Sequence, residues 1–106
     1  MDKRSAVRVG VRGKVGGRMI LVESLEIEDI STTGVRFNTM KRLDMNSRHR
    51  LKIVHGDMTL VLRGTIVRAT FKGIKENMPL YEIGMQFSDM SETEQANIKK
   101  LISILS

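Results

Sequence analysis

The 106-residue sequence has no cysteine and no tryptophan, one proline, and only four aromatic residues, one Tyr and three Phe. Without cysteine there can be no disulfide and no thiolate metal site, a pattern that fits a reducing cytoplasm. So few aromatics imply an aliphatic core, with the eight methionines as gap fillers. They also argue against a surface that stacks the bases of DNA or RNA. The apolar run Met19 to Val22 is far shorter than the roughly 20 residues that cross a bilayer, and the N-terminus lacks an apolar signal segment. Catalytic and metal-binding patterns are missing too. His49 lies in a polar segment and His55 in a turn, Gly13-Lys14 is followed by Val15 rather than Ser or Thr, and the acids show no ligand spacing. No catalytic residue, metal or cofactor is expected.

What is present is positive charge, unevenly placed. The net charge is +6, and Lys3, Arg4, Arg8, Arg12, Lys14 and Arg18 fall within the first 18 positions against a single acid, Asp2. Such an excess points to an anionic partner. The length suits one domain spanning 1–106, with a basic stretch over 1–12 that reads either as a solubilising tail or as an arm that closes on an anion. Charged and glycine-flanked, the arm is expected to be mobile when free and ordered when bound.

The hydrophobic periodicity is mostly that of strands. Val7, Val9, Val11 and Val15 alternate with polar or glycine positions, and Gly16-Gly17 reads as a hairpin turn before a strand from Met19 to Ile30. Val35 and Phe37 form a short strand, and the polar stretch from Lys41 to Arg48 has Asn46 as a left-handed turn residue. Leu51 and Ile53 lead through the turn His55-Gly56-Asp57 into a long β-branched stretch, Met58 to Phe71, where Gly64 suggests a bend or bulge. A loop from Gly73 to Pro79 precedes a last strand through Tyr81, Ile83, Met85 and Phe87. The period then changes. Ser91-Glu-Thr-Glu94 is a capping box, and Ile98, Leu101, Ile102 and Leu105 make the apolar stripe of a helix over 91–105. About six strands and a terminal helix suggest a mainly β barrel or sandwich, with the helix over its mouth or side.

Two elements carry binding chemistry. In Arg4-Ser-Ala-Val-Arg8 the arginines share a side whether the segment is extended or helical, about 13 Å apart if extended. The planar guanidinium grips phosphate and the guanine O6/N7 edge through paired donors. In Asp29-Ile-Ser31-Thr-Thr-Gly34, Asp29 and Ser31 emerge on one face while Ile30 points into the core. An aspartate accepts from the N1–H and N2–H₂ edge of guanine, serine adds a hydroxyl, and Gly34 permits a tight turn or a close ligand approach. Taken alone, this second element also reads as a Ser/Thr turn that stitches two strands.

Arg-x-x-x-Arg followed about twenty residues later by Asp-x-Ser-x-x-Gly resembles the PilZ domain, a bacterial receptor for cyclic di-GMP. The resemblance extends through Gly64-Thr-Ile-Val-Arg68, Ile83-Gly84-Met85-Gln86-Phe87 and the closing helix. It implies a six-stranded antiparallel β-barrel with a C-terminal helix, and a non-enzymatic, cytoplasmic receptor that changes its surface on binding to regulate an effector protein. It assigns Arg4 and Arg8 to guanine edges and phosphates, and Asp29, Ser31 and Gly34 to the opposite wall. Lys3, Arg36 and Arg68 are candidate secondary contacts. Lys3 stands where the family often carries another arginine linked to binding a stacked ligand dimer, and Asn46 where it commonly has glycine. The competing readings are a small basic nucleic-acid-binding barrel and a PilZ-like scaffold that docks a partner without nucleotide.

Overall fold

The computed structural model describes residues 8–10, 16–19 and 24–106. These form seven strands and one helix: β1 (Arg8–Gly10), β2 (Gly16–Met19), β3 (Ser24–Ser31), β4 (Gly34–Thr39), β5 (Arg48–His55), β6 (Met58–Lys75), β7 (Met78–Phe87) and α1 (Glu92–Leu105). Every pairing is antiparallel. They run β3–β2–β5–β6–β7–β4 and return from β4 to β3, a circuit of six strands, with β1 added on β3. The mainly β, barrel-like expectation holds, with one short strand more than the sequence suggested.

Strand alternation explains the interior. Ile27, Ile30, Val35, Phe37, Leu51, Ile53, Leu62, Ile66, Ile83 and Met85 are buried in one core. Leu43, from the segment between β4 and β5, is buried with them, as are Ile98, Leu101 and Ile102 of α1, which packs on β6 and β3. Ser91 caps the helix as the sequence implied: its Oγ accepts from the Glu94 amide while Glu94 Oε1 accepts from the Ser91 amide. The core is aliphatic apart from Phe37. Of the methionines, Met85 lies in the core and Met58 and Met90 pack against it, as gap fillers would, while Met40, Met45 and Met78 are exposed.

Several boundaries differ from the sequence reading. Gly16-Gly17 is not a turn but strand, paired to Glu26 and Leu25 on one side and to Val54 and Ile53 on the other. Glycine permits a turn without requiring one, and both backbone edges are satisfied mid-sheet. The single strand expected from Met19 to Ile30 is divided, because Arg18 pairs back onto Ser24. The expected loop from Gly73 to Pro79 is mostly strand: Lys75 pairs with Met78 across Glu76-Asn77, both with positive φ, at 53° and 65°. Pro79 is tolerated there because β4 ends at Thr39 opposite Tyr81, leaving β7 with only β6 as neighbour beyond that point. Asn46 (φ 66°) adopts the left-handed conformation the sequence suggested, and Gly56 (φ 59°), in the expected turn, is left-handed as well. Gly64 carries no bulge. A Cβ there would meet Met85 Cε at 2.6 Å and the Gln86 carbonyl oxygen at 2.7 Å, while the register shifts of β6 fall between Ile66 and Arg68 and between Phe71 and Gly73. Among the described residues, no helix is long and apolar enough to cross a membrane.

Candidate functional site

The Asp29-Ile-Ser31 segment ends β3, and a β-bulge sets its orientation. Ile27 pairs with Phe37, but the next partners are Asp29 and Arg36, leaving Glu28 as the extra residue. The bulge changes the phase of the strand, so Ile27 and Ile30 both reach the core although they stand three positions apart. Asp29 and Ser31 flank the inward Ile30, as expected. They are more deeply covered than a ligand-facing wall suggests, at 8% and 1% exposure.

Beyond β3 the chain reverses over Thr32 and Thr33. Ser31 Oγ accepts from the amides of Thr33 (3.2 Å) and Gly34 (3.3 Å) and lies 3.1 Å from Thr33 Oγ1. The Phe87 amide donates to the Thr33 carbonyl at 2.9 Å, tying the turn to β7. Ser31 is therefore a Ser/Thr-turn residue, whatever else it does. Gly34 carries a packing constraint besides the expected roles. It pairs with Gln86, and a Cβ would stand 2.5 Å from the Met85 carbonyl oxygen, so it is strand packing that excludes a side chain.

Arg36 is the residue whose role the sequence reading missed. Its Nε and one terminal nitrogen both reach Asp29 Oδ2 at 2.7 Å, while Glu82 Oε2 lies at 3.5 Å and Glu28 Oε2 at 3.7 Å. Glu28 Oε1 also accepts from Asn38 Nδ2 at 2.7 Å. Partial burial would by itself lower the Arg36 pKa, but attraction and hydrogen bonding from Asp29, with help from Glu82 and Glu28, outweigh it and hold the pKa raised. Beside this cluster is a cleft of about 370 Å³ lined by Glu28, Arg36, Asn38 and Glu82 together with Lys72 and Lys75.

The register brings Arg8 beside the second sequence element. On β1, Arg8 pairs with Ser31, Val9 with Ile30 and Gly10 with Asp29, so the second motif arginine lies on the strand beside the Asp-x-Ser segment. On the other side of β3, Asp29 pairs with Arg36, Arg36 with Gly84, and Gly84 with Arg68. This row runs from Gly10 to Arg68 across five strands. Arg68 is exposed, and its Cβ would lie 3.1 Å from a Cβ built on Gly84. Lys3 and Arg4 lie outside the described residues, as do all positions of the arm but 8–10. No cluster of metal-ligating side chains occurs among the described residues.

Solved structures share this architecture. MrkH of K. pneumonia in complex with c-di-GMP aligns with a TM-score of 0.76 at 17% identity, over 99% of this chain and 53% of MrkH. The PilZ domain of YcgR from Escherichia coli, solved with c-di-GMP, gives 0.76 at 13% identity over 98% and 92%. The Bacillus subtilis inhibitor of motility MotI gives 0.68 at 16% over 98% and 51%. The chain thus spans about half the length of MrkH and MotI, and at these identities the likeness speaks for the fold alone. No curated protein matches by sequence. A family model of the PilZ domain matches residues 2–103, and the chain belongs to the PilZ domain family.

Proposed function

We propose that this chain is a cyclic di-GMP receptor, cytoplasmic and without enzymatic activity of its own, that alters its surface on binding to regulate a partner protein in bacterial second-messenger signalling. The observation that carries the reading is the β1–β3 register: Arg8 opposite Ser31 and Gly10 opposite Asp29, which unites the arginine and Asp-x-Ser-x-x-Gly elements at one edge. YcgR and MrkH, which share the fold, were solved with c-di-GMP.

In this site Arg4 and Arg8 supply paired donors for the two phosphodiesters and the guanine edges. Asp29 accepts from a guanine N1–H and N2–H₂. Ser31 acts by holding the turn, since its hydroxyl is buried and already bonded to two turn amides. Gly34 lets β4 close on β7 and so fixes where that turn sits. Lys3, Arg36 and Arg68 border the site as secondary contacts. Each charge-assisted hydrogen bond contributes about 1.5–3 kcal/mol, so a few give micromolar binding or better once the ordering of the arm is subtracted. That ordering is the switch: contacts made only in the closed state supply the free energy that changes the surface seen by an effector.

Calorimetric titration with cyclic di-GMP, cyclic di-AMP, GTP and a short oligonucleotide separates this from the alternatives. Saturable binding that is tightest for cyclic di-GMP is expected. Oligonucleotide binding that weakens steeply with salt and ignores guanine content would identify a nucleic-acid barrel instead. Absence of all binding would leave a docking scaffold.

A further inference from the structure

Arg36 lies outside both motifs, yet it holds the one motif acid. We propose that Arg36 is a positioning residue for base selection: it fixes the Asp29 carboxylate so that the site prefers guanine over adenine. The inference rests on the cyclic di-GMP reading above and concerns how that site chooses its base.

The geometry supplies the first argument. Nε and a terminal nitrogen of Arg36 converge on the same Asp29 oxygen, Oδ2, each at 2.7 Å. Two donors fixed in a planar guanidinium pin that oxygen more tightly than a single flexible donor does. Arg36 is itself restrained. It is paired to Asp29 on β3 and to Gly84 on β7, and Glu82 and Glu28 hold its terminal nitrogens from two further directions.

Charge supplies the second argument. The β3 bulge places Glu28 and Asp29 next to each other with both buried, at 7% and 8% exposure, and Glu82 adds a third carboxylate within 4.0 Å of Arg36. Two phosphodiesters approaching this group meet its negative charge unless a cation lies within it. Arg36 is a cation within ion-pair reach of all three carboxylates, and Lys72 and Lys75 line the adjoining cleft. An ionised carboxylate only accepts hydrogen bonds. Guanine offers it two donors on the Watson–Crick edge, whereas adenine offers one donor beside an acceptor, N1. A carboxylate held in place therefore distinguishes the bases, and one free to turn away distinguishes them less.

The test measures affinity for cyclic di-GMP and for cyclic di-AMP on the full chain, as wild type, Arg36→Gln, Arg36→Lys and Glu82→Gln, with thermal melting of each. Wild type is expected to prefer cyclic di-GMP. In Arg36→Gln that preference falls about tenfold or more, chiefly through weaker cyclic di-GMP binding, the scale of one charge-assisted contact. Arg36→Lys keeps the charge without the fork and retains part of the preference. Glu82→Gln removes one restraint on Arg36 but leaves the Arg36–Asp29 pair, and lowers the preference less than Arg36→Gln does. An unchanged preference in folded Arg36→Gln overturns the proposal, and so does an equal loss for both nucleotides, which marks general charge or folding effects. Should Arg36→Gln fail to fold, Arg36→Lys decides: a preference equal to wild type overturns the proposal. If wild type binds neither nucleotide, the receptor reading itself fails and takes this inference with it.

Discussion

Replacing Gly34 with alanine separates the packing role of a motif residue from a ligand role. A Cβ at this position would stand 2.5 Å from the Met85 carbonyl oxygen and 3.5 Å from Gln86 Cα. The first contact is with backbone, which cannot swing aside as a side-chain terminus can. Overpacking of this kind costs about 1–3 kcal/mol, and the reduced freedom of the unfolded chain returns about 0.4–1 kcal/mol. A contact this close to backbone stands at the upper end of that cost, so the net loss is about 2–2.6 kcal/mol. For a chain of this size each kcal/mol moves the melting temperature by about 4–8 °C, giving a fall of roughly 8–21 °C without ligand. Differential scanning calorimetry of the free protein reads it directly. A Gly34→Ala protein that melts with wild type but loses cyclic di-GMP binding would refute the packing argument and assign the glycine to ligand approach.

Ser91→Ala removes the acceptor for the Glu94 amide and should cost about 1 kcal/mol by chemical denaturation, with no change in nucleotide affinity, because the cap belongs to α1. The raised Arg36 pKa makes a pH prediction. A cation whose pKa is higher folded than unfolded stabilises fully below the unfolded value and loses that contribution only as pH rises through the folded one. Both values lie far above neutrality, so the melting difference between wild type and Arg36→Gln should stay level between about pH 6 and 9, and a steady decline across that range would contradict the assignment.

Local chemistry was legible in the sequence, and pairing across strands was not. The capping box at Ser91, the left-handed Asn46 and the Gly56-Asp57 turn each depend on a few consecutive residues, and all three stand as read. The Glu28 bulge depends on which β4 residue faces which β3 residue. Its one trace in the sequence is the odd separation of Ile27 and Ile30, since both must be apolar and inward. Without the bulge there is no reason to place Asp29 against Arg36, so the ion cluster stayed hidden behind the ordinary pattern of an alternating strand. Gly16-Gly17 misled for a related reason: a turn signal was read where pairing on both edges keeps the chain extended. The motif acid, hydroxyl and glycine stand out in the sequence, and the local partners of two of them give those residues structural parts. Ser31 bonds the turn and Gly34 makes room for a neighbouring strand.

The central claim is that this chain binds cyclic di-GMP where β1 meets the end of β3. Calorimetric titration of that nucleotide into wild type and Arg8→Ala, at tens of micromolar protein, tests it most directly. Saturable binding by wild type and a loss of about tenfold or more in Arg8→Ala are predicted, the scale of one charge-assisted contact. No saturable binding by wild type would contradict the receptor reading, and equal binding by both proteins would move the site away from Arg8.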